Sequence, residues 1–421
     1  MLDASSPMTV AWSARMPKIV RMNLLRRYPI TCTLIALLIV SALAPLPPLV
    51  DAVSGAPPYD ADLVRPAAYT LLAPLSDILD TLTFLSIGRA WAFLLVWAIG
   101  LAVWGLAGSG PPRRRLLRAT LGPLAVVVLG VAAVLLPRPV VRLVPADSTV
   151  TVIDYHAHTA ASHDGRRGWT AEDLARWHAA QGFAVSYVTD HNVIFDQSID
   201  QPIRLLQGVE WSVYGQHVVA LGPVTPIDRA AYNRDTPGML GLFAELHRQG
   251  AIGIASLPEY WRNHWDDLDR FVTAGVDGFE IVNCAPKALG FPAPARARVL
   301  ELAREHDLLV VGASDNHGWG RATCVWNVSS PSAHGYHANR VLVRPIALAQ
   351  ADWQPWTAAY TQPWLMLRGL SWSERSSWLT WILVILIYRA VPRRQGDPGG
   401  IGILARSLSL KILKLHRSQP G

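Results

Sequence analysis

Three stretches of this chain carry no charged residue: those between Arg27 and Asp51, between Arg89 and Arg113, and between Arg118 and Arg138. Each is long enough for a helix that crosses about 30 Å of hydrocarbon, which takes about 20 residues. With 51% hydrophobic and only 16% charged residues, they exclude a chain that faces water throughout. Membrane spans are therefore expected at about 29–48, 87–108 and 119–137, within a membrane region 28–137. Arg15, Lys18, Arg21, Arg26 and Arg27 precede the first run, and Arg113, Arg114, Arg115 and Arg118 separate the second from the third. The loop between the first two runs instead carries Asp51, Asp60, Asp62, Asp77 and Asp80 against Arg65. Short basic segments stay on the cytoplasmic side. The sequence thus predicts a cytoplasmic basic N-terminus (1–27), a multi-pass protein of a bacterial-type inner membrane, and an extracytoplasmic domain after Pro137.

Near the other end, Trp378 to Tyr388 is apolar with aromatic residues at its edges, and Arg389, Arg393 and Arg394 follow at once. A fourth, transmembrane or interfacial, helix is expected at 376–391, reached through a connector at 346–375. The tail 392–421 spaces Ile401, Leu404, Leu408, Ile412 and Leu415 helically among Arg406, Lys411, Lys414 and Arg417, a pattern suited to an anionic lipid surface. The bilayer is the expected partner, and no nucleic-acid partner is expected.

The segment 149–345 reads differently. Short β-branched runs alternate with helical stretches from Val150 to Gly312, which predicts βα units closing into a barrel of six or seven strands. Twelve of the thirteen histidines fall between His156 and His337. Those with the most regular placement stand at or just past strand ends: His156 and His158, then Asp190 and His191, Glu210, and Asp315 with His317. Residues two apart on a strand share one face, so such pairs can converge on one centre. The catalytic rim of α/β barrels lies at the strands' carboxyl ends.

Imidazole and carboxylate without thiolate suit Zn, Mn or Fe, and the number of such groups suggests two or three divalent ions. Cys32, Cys284 and Cys324 are too few for a disulfide framework or a zinc knuckle. Asp154 and Asp190 are placed to orient the neighbouring imidazoles. Glu280 and Asn283 can be read as rim or core residues. His178, His247 and His306 read as ordinary core or surface histidines, and Trp261, Trp265, Trp319 and Trp326 as stacking, interfacial or core residues. Arg166, Arg167, Arg262, Arg321 and Lys287 are either substrate-phosphate contacts or solvated charges.

Asp154-Tyr-His-Ala-His-Thr, Ser162-His-Asp-Gly, Thr189-Asp-His-Asn, Gly208-Val-Glu, His217 and Gly312-Ala-Ser-Asp-Asn-His-Gly resemble, in order, the motifs of the PHP (polymerase and histidinol phosphatase) superfamily. The likeness runs from about Thr149 to Trp326. It implies an α/β fold of distorted (β/α)7 barrel type and a membrane-anchored metallohydrolase that cleaves a phosphoester by attack of a metal-bound hydroxide. It further implies that His156, His158, Glu210 and Asp315 hold a first metal, that Glu210 bridges to a second bound by His217, and that Asp164, His191 and His317 hold a third. Asp164, His191, Glu210 and His317 would carry the catalysis. His163 is the alternative to Asp164. Where the family has His-Pro, this chain has Leu257-Pro, leaving Glu259, His264 or water to complete the second site. A carboxylic or carbamate ester hydrolase, or an inactive ligand-binding sensor, are the other readings.

Overall fold

The computed structural model describes residues 28–330, 335–349 and 354–390. The expected basic segment 1–27 and tail 392–421 lie outside the described residues. Among those described, two helices are long and apolar enough to cross a membrane: Ile87–Ala107 and Pro112–Leu135. The first apolar run forms helix α1, Pro29–Leu43, of only 15 residues. That is about 22 Å of helix against roughly 30 Å of hydrocarbon, shorter than the expected 29–48. The stop has a visible cause. Arg368 Nε takes the Ala44 carbonyl at 2.7 Å, and Leu46 N–H donates to the Arg368 carbonyl at 3.0 Å, turning the chain before Pro47.

After α2 (Ala73–Thr83) come α3 (Ile87–Ala107) and α4 (Pro112–Leu135), which form an antiparallel hairpin. Glycine lets the two backbones approach: a Cβ on Gly105 would lie 2.5 Å from Ala119 N, and one on Gly122 would lie 2.9 Å from Leu101 Cβ. The arginines expected in a loop between spans stand on the first turns of α4 instead, since the helix begins at Pro112. There Arg118 Nη1 donates to the Ser109 carbonyl at 3.1 Å and Arg115 Nε to the Leu106 carbonyl at 2.5 Å, cations satisfying the end of α3.

The strands are β1 (Val50–Asp51), β2 (Ala61–Val64), β3 (Arg142–Pro145), β4 (Thr151–Asp154), β5 (Val185–Val188), β6 (Arg204–Val213), β7 (Gln216–Leu221), β8 (Ile252–Ser256), β9 (Gly278–Asn283), β10 (Leu309–Ala313), β11 (Val325–Ser329) and β12 (Asn339–Val343). Ten of them build one curled sheet in the order β1-β12-β11-β4-β5-β6-β7-β8-β9-β10, while β2 and β3 pair as a separate ribbon. From β4 to β10 neighbours run parallel except β7, which is antiparallel to both β6 and β8. Helices α5 (Ala171–Gln181), α6 (Thr236–Gln249) and α7 (Ala293–Glu305) cover the sheet. Thr170 and Asp173 form the expected capping box on α5. Every residue of β9 is buried, as expected for a parallel strand covered on both faces.

The curl brings β10 back toward β4. Beyond the strand ends, Asp315 N–H donates to the His156 carbonyl at 2.9 Å and His158 N–H to the Asn316 carbonyl at 3.0 Å. Lower down, the Asn327 amide replaces a backbone ladder: its Nδ2 donates to the Gly312 and Ile153 carbonyls (2.7 and 3.0 Å), and its Oδ1 accepts from Gly312 N–H (2.8 Å). Asn339 Nδ2 reaches the Val310 carbonyl at 2.8 Å in the same way. Strands β11 and β12 escape the sequence reading because asparagine disfavours strands on average; here each amide is buried and spent on joining strands.

The chain divides into residues 1–377 and 378–421. The expected connector contains α8 (Ala358–Gly369), and the C-terminal helix α9 (Trp372–Ala390) begins four residues before the expected 376. In its first turn Glu374 pairs with Arg65 at 2.5 Å, and Arg375 Nη1 donates to Ser41 Oγ at 2.7 Å.

Replacing Asn327 by alanine strands the Gly312 N–H and two carbonyls in the interior, which is expected to cost about 3 kcal/mol. Replacing the exposed Asn263 is expected to change stability by no more than about 0.5 kcal/mol. Thermal unfolding of the purified protein checks this, and equal effects would contradict the closure role.

Candidate metal centre

The site is assembled past the carboxyl ends of β4, β5 and β10, with Glu210 from the second half of β6 and His217 from the start of the antiparallel β7. Residues past β4 alternate, so His156 and His158 share a face while Asp154 anchors the strand from below. Asp154 Oδ1 accepts from Ser314 N–H at 3.1 Å, and Oδ2 from His178 Nε2 at 2.7 Å. Asp154 therefore orients the two ligand-bearing backbone segments rather than an imidazole of the cluster, correcting the sequence expectation. Asp190 also departs from it: its carboxylate accepts Thr159 N–H and Oγ1–H at 2.6 and 2.7 Å, holding the loop after His158. Asp315 adopts a left-handed backbone, φ 46°, unusual for a residue other than glycine and common where a site demands one side-chain direction.

All eight candidate residues come together. Glu210 is the hub: Oε2 lies 3.1 Å from His156 Nε2, 3.3 Å from His158 Nε2 and 3.0 Å from His191 Nδ1, and Oε1 lies 2.6 Å from His217 Nδ1. Asp315 Oδ1 lies 3.0 Å from His158 Nε2 and 3.6 Å from His156 Nε2, whose own separation is 3.0 Å. Asp164, on the open side and with its side chain 41% exposed, lies 3.2 Å from His317 Nε2 and 3.6 Å from His191 Nε2. Ligand atoms of His156, His158 and Asp315, of His191, Glu210 and His217, and of His158, His191 and His317 each lie within 4.8 Å of one another. His163 with Asp164 and His191 forms a further such group. The His163 side chain is 75% exposed and its Nδ1 is 3.9 Å from Asp164, so the buried donors are met by Asp164.

The donor set fits cations. Both Glu210 oxygens and Asp315 Oδ1 are buried without a hydrogen bond and face ring nitrogens alone. Buried carboxylates in that state require compensating positive charge. Burial alone would raise the Glu210 carboxyl, but the His156 and His217 rings overcome it and hold it well below the usual range. Asp315, buried likewise, is held low by His156 and His317. Burial works against the His191 cation, yet Asp164 and Glu210 push its pKa up to about 10. Burial and the neighbouring His317 bring His158 down to about 3, leaving it neutral. Protons on imidazole thus stand in for cations when no ion is bound.

Three residues support the ligands: Glu280 and Asn283, which the sequence leaves open between rim and core, and Ser162, whose role it does not mark. Glu280 Oε2 accepts from His156 Nδ1 at 2.9 Å, turning Nε2 toward the cluster. Ser162 Oγ lies 3.1 Å from His158 Nδ1 and accepts His191 N–H at 3.0 Å. Asn283 Nδ2 donates to Asp315 Oδ2 at 3.0 Å. A strand-end acid was the available signal for Glu280; nothing in the spacing marks Ser162. The structure also joins Cys284 to Cys324 in a disulfide, unanticipated from so few cysteines, which ties the loop after Asn283 to the start of β11. Leu257 is buried in the hydrophobic core, and the Tyr260 ring covers His217 at 4.6 Å between centroids. Of the two side chains considered in its stead, His264 is engaged by the Tyr214 carbonyl and Asp267, and Glu259 faces Lys287 at 3.0 Å. His178 and Trp326 are core residues, and His247 pairs with Asp277.

No family profile and no curated protein matches this chain. Among solved structures it is similar to PsfC from Pseudomonas syringae PB-5123, with a TM-score of 0.35 and 16% identity over 51% of this chain and 97% of that one. It is also similar to the lesion-specific endonuclease PfuEndoQ from Pyrococcus furiosus, with a TM-score of 0.29 and 11% identity over 45% of this chain and 54% of that one. Likeness at this level carries no functional argument, and the chemistry must be read from the site.

Because His191 holds a proton up to about pH 10 in the ion-free protein and must lose it to ligate, affinity for a divalent ion is expected to rise with pH. The carboxylates, held low, add no proton of their own in that range. The slope should reach about tenfold per pH unit for each proton displaced. Titration calorimetry in buffers of different ionisation enthalpy reads the protons released; an affinity independent of pH would contradict the assignment.

Proposed function

We propose that this chain is a membrane-anchored, metal-dependent phosphoesterase, with β4 to β10 forming a distorted seven-stranded barrel of the PHP type. One observation carries the reading: a single buried carboxylate, Glu210, meets four imidazoles from three different strand ends and has no hydrogen bond of its own. His156, His158, Glu210 and Asp315 would hold one ion, Glu210 and His217 a second, and Asp164, His191 and His317 a third. Divalent ions held there make water a usable nucleophile near neutral pH and neutralise charge on the phosphoryl oxygens. The chain's own groups do the positioning: Glu280 sets the His156 ring, Asn283 sets Asp315, and Asp164 stands at the open side where a proton can be passed to solvent.

The catalytic domain belongs on the extracytoplasmic side. The α3–α4 hairpin has the sheet at one end, where Ile87 N–H donates to the Pro286 carbonyl at 3.0 Å, and the Arg113 to Arg118 cluster at the other. The positive-inside rule assigns that cluster to the cytoplasm. The Cys284–Cys324 disulfide suits an oxidising compartment.

With Mn or Zn supplied, the purified protein is expected to hydrolyse an aryl phosphate in preference to an aryl carboxylate ester. His158→Ala and Glu210→Gln should each lower kcat/KM by about a thousandfold or more while circular dichroism stays unchanged. Turnover of the carboxylate ester alone would transfer the assignment to an ester hydrolase, and no turnover by the ion-loaded protein would leave a binding module. A reporter fused after Pro137 is expected to be active only outside the cytoplasm.

A further inference from the structure

The connections between the membrane segments and the sheet lie on the side of the sheet that carries the metal ligands. Ile87, the first residue of α3, bonds to Pro286 three residues past the end of β9, in the loop that begins after Asn283. The Leu135 carbonyl at the end of α4 accepts from Arg321 Nη2 at 2.8 Å, and Arg321 lies four residues beyond His317. Arg344, directly after β12, pairs with Asp80 of α2 at 3.1 Å, and Arg138, after α4, pairs with the same carboxylate at 3.0 Å. The registers agree: Asn327 faces Ile153 and Val325 faces Val343, so β12 leaves the sheet on the side where β4 leads to His156. With α3 and α4 across the bilayer, the rim loops are held at its surface.

The residues at that level suit an interface. Trp319, 47% exposed, stands between His317 and the α4 contact, and its indole N–H donates to the Asp164 carbonyl at 3.1 Å. Lys287, with its side chain 61% exposed, follows Pro286. Exposed Trp356 and Tyr360 flank the start of α8, which is fastened to α3 by Arg89 Nη2 on Thr361 Oγ1 at 2.7 Å and by Trp97 Nε1 on the Ala359 carbonyl at 3.0 Å. Indole and phenol rings favour the headgroup level, and lysine and arginine favour its anionic charge.

We propose that the mouth of the metal pocket opens onto the outer membrane-water boundary, and that the substrate is a phosphoester carried on a membrane lipid. The assignment rests on the phosphoesterase reading and adds the carrier. A pocket fixed at the surface serves a soluble ester no better than one facing bulk water, whereas a lipid substrate is confined to the layer in which the pocket lies.

Two measurements on the full chain reconstituted in phosphatidylcholine vesicles test it. Nitroxide labels are placed, in a Cys32→Ser background, at Arg167→Cys on the rim and at Arg248→Cys at the far end of α6. The rim label is expected to be relaxed by lipid-soluble oxygen and shielded from a water-soluble nickel chelate, and the distal label to show the reverse. Equal aqueous exposure of both labels overturns the orientation. With ion supplied, dioleoyl phosphatidic acid in the vesicle is expected to exceed p-nitrophenyl phosphate in kcat/KM by about tenfold or more, through confinement to the surface. Hydrolysis of the soluble ester alone overturns the lipid assignment and leaves the phosphoesterase standing. Refusal of both by ion-loaded protein overturns the phosphoesterase reading, and the lipid assignment falls with it.

Discussion

Glu210 is a buried acid that the rest of the site exists to compensate. It sits midway along β6 with both oxygens turned away from every backbone N–H and toward His156, His158, His191 and His217. In a low-dielectric interior a carboxylate of this kind is tolerated only against positive charge, and the surrounding rings supply it as protons or as ligands to a cation. The layout of the sheet follows. Since β7 turns back against β6, His217 stands opposite Ser212, two residues on from Glu210, and so on the same face. β4 and β10 must also meet beyond their ends, or His156 and Asp315 would belong to different surfaces.

That meeting is made by side chains as much as by backbone. Asn327 and Asn339 complete hydrogen bonds that a regular ladder would supply, and Asp154 ties the Ser314 amide to the strand carrying His156. On the outer side, buried Asp80 collects Arg138, Arg344 and the Tyr69 hydroxyl, joining α2, the exit of α4 and the exit of β12 at one point. The apolar α3–α4 hairpin and the rim that carries the ligand residues are thereby tied into one mechanical unit.

The parts of this arrangement legible in the sequence were those governed by local period and chemical type. Pairs two apart at strand ends marked His156, His158, Asp315 and His317, and a capping box marked α5, because alternation and end satisfaction are properties of a few consecutive residues. Glu280 and Asn283 were ambiguous because a polar residue ending a strand has the same local pattern whether it faces rim or core. Asp154 and Asp190 were misjudged for a related reason: adjacency suggested imidazoles of the cluster, but their partners, Ser314 N–H and His178 for Asp154 and Thr159 for Asp190, come from other segments of the chain. The end of α1 depended on Arg368, more than 300 residues away, and no local reading of an apolar run could supply it.

The claim beneath all of this is that one pocket, centred on Glu210, holds ions. Anomalous diffraction from crystals of the purified full-length protein, collected on both sides of the Zn and Mn absorption edges, addresses it directly. The account expects two or three peaks inside the ring of His156, His158, Asp164, His191, Glu210, His217, Asp315 and His317, at about 2.0–2.2 Å from the ligand atoms. A map without anomalous density there after soaking in either ion, with the imidazoles instead paired to protonated partners, would contradict it.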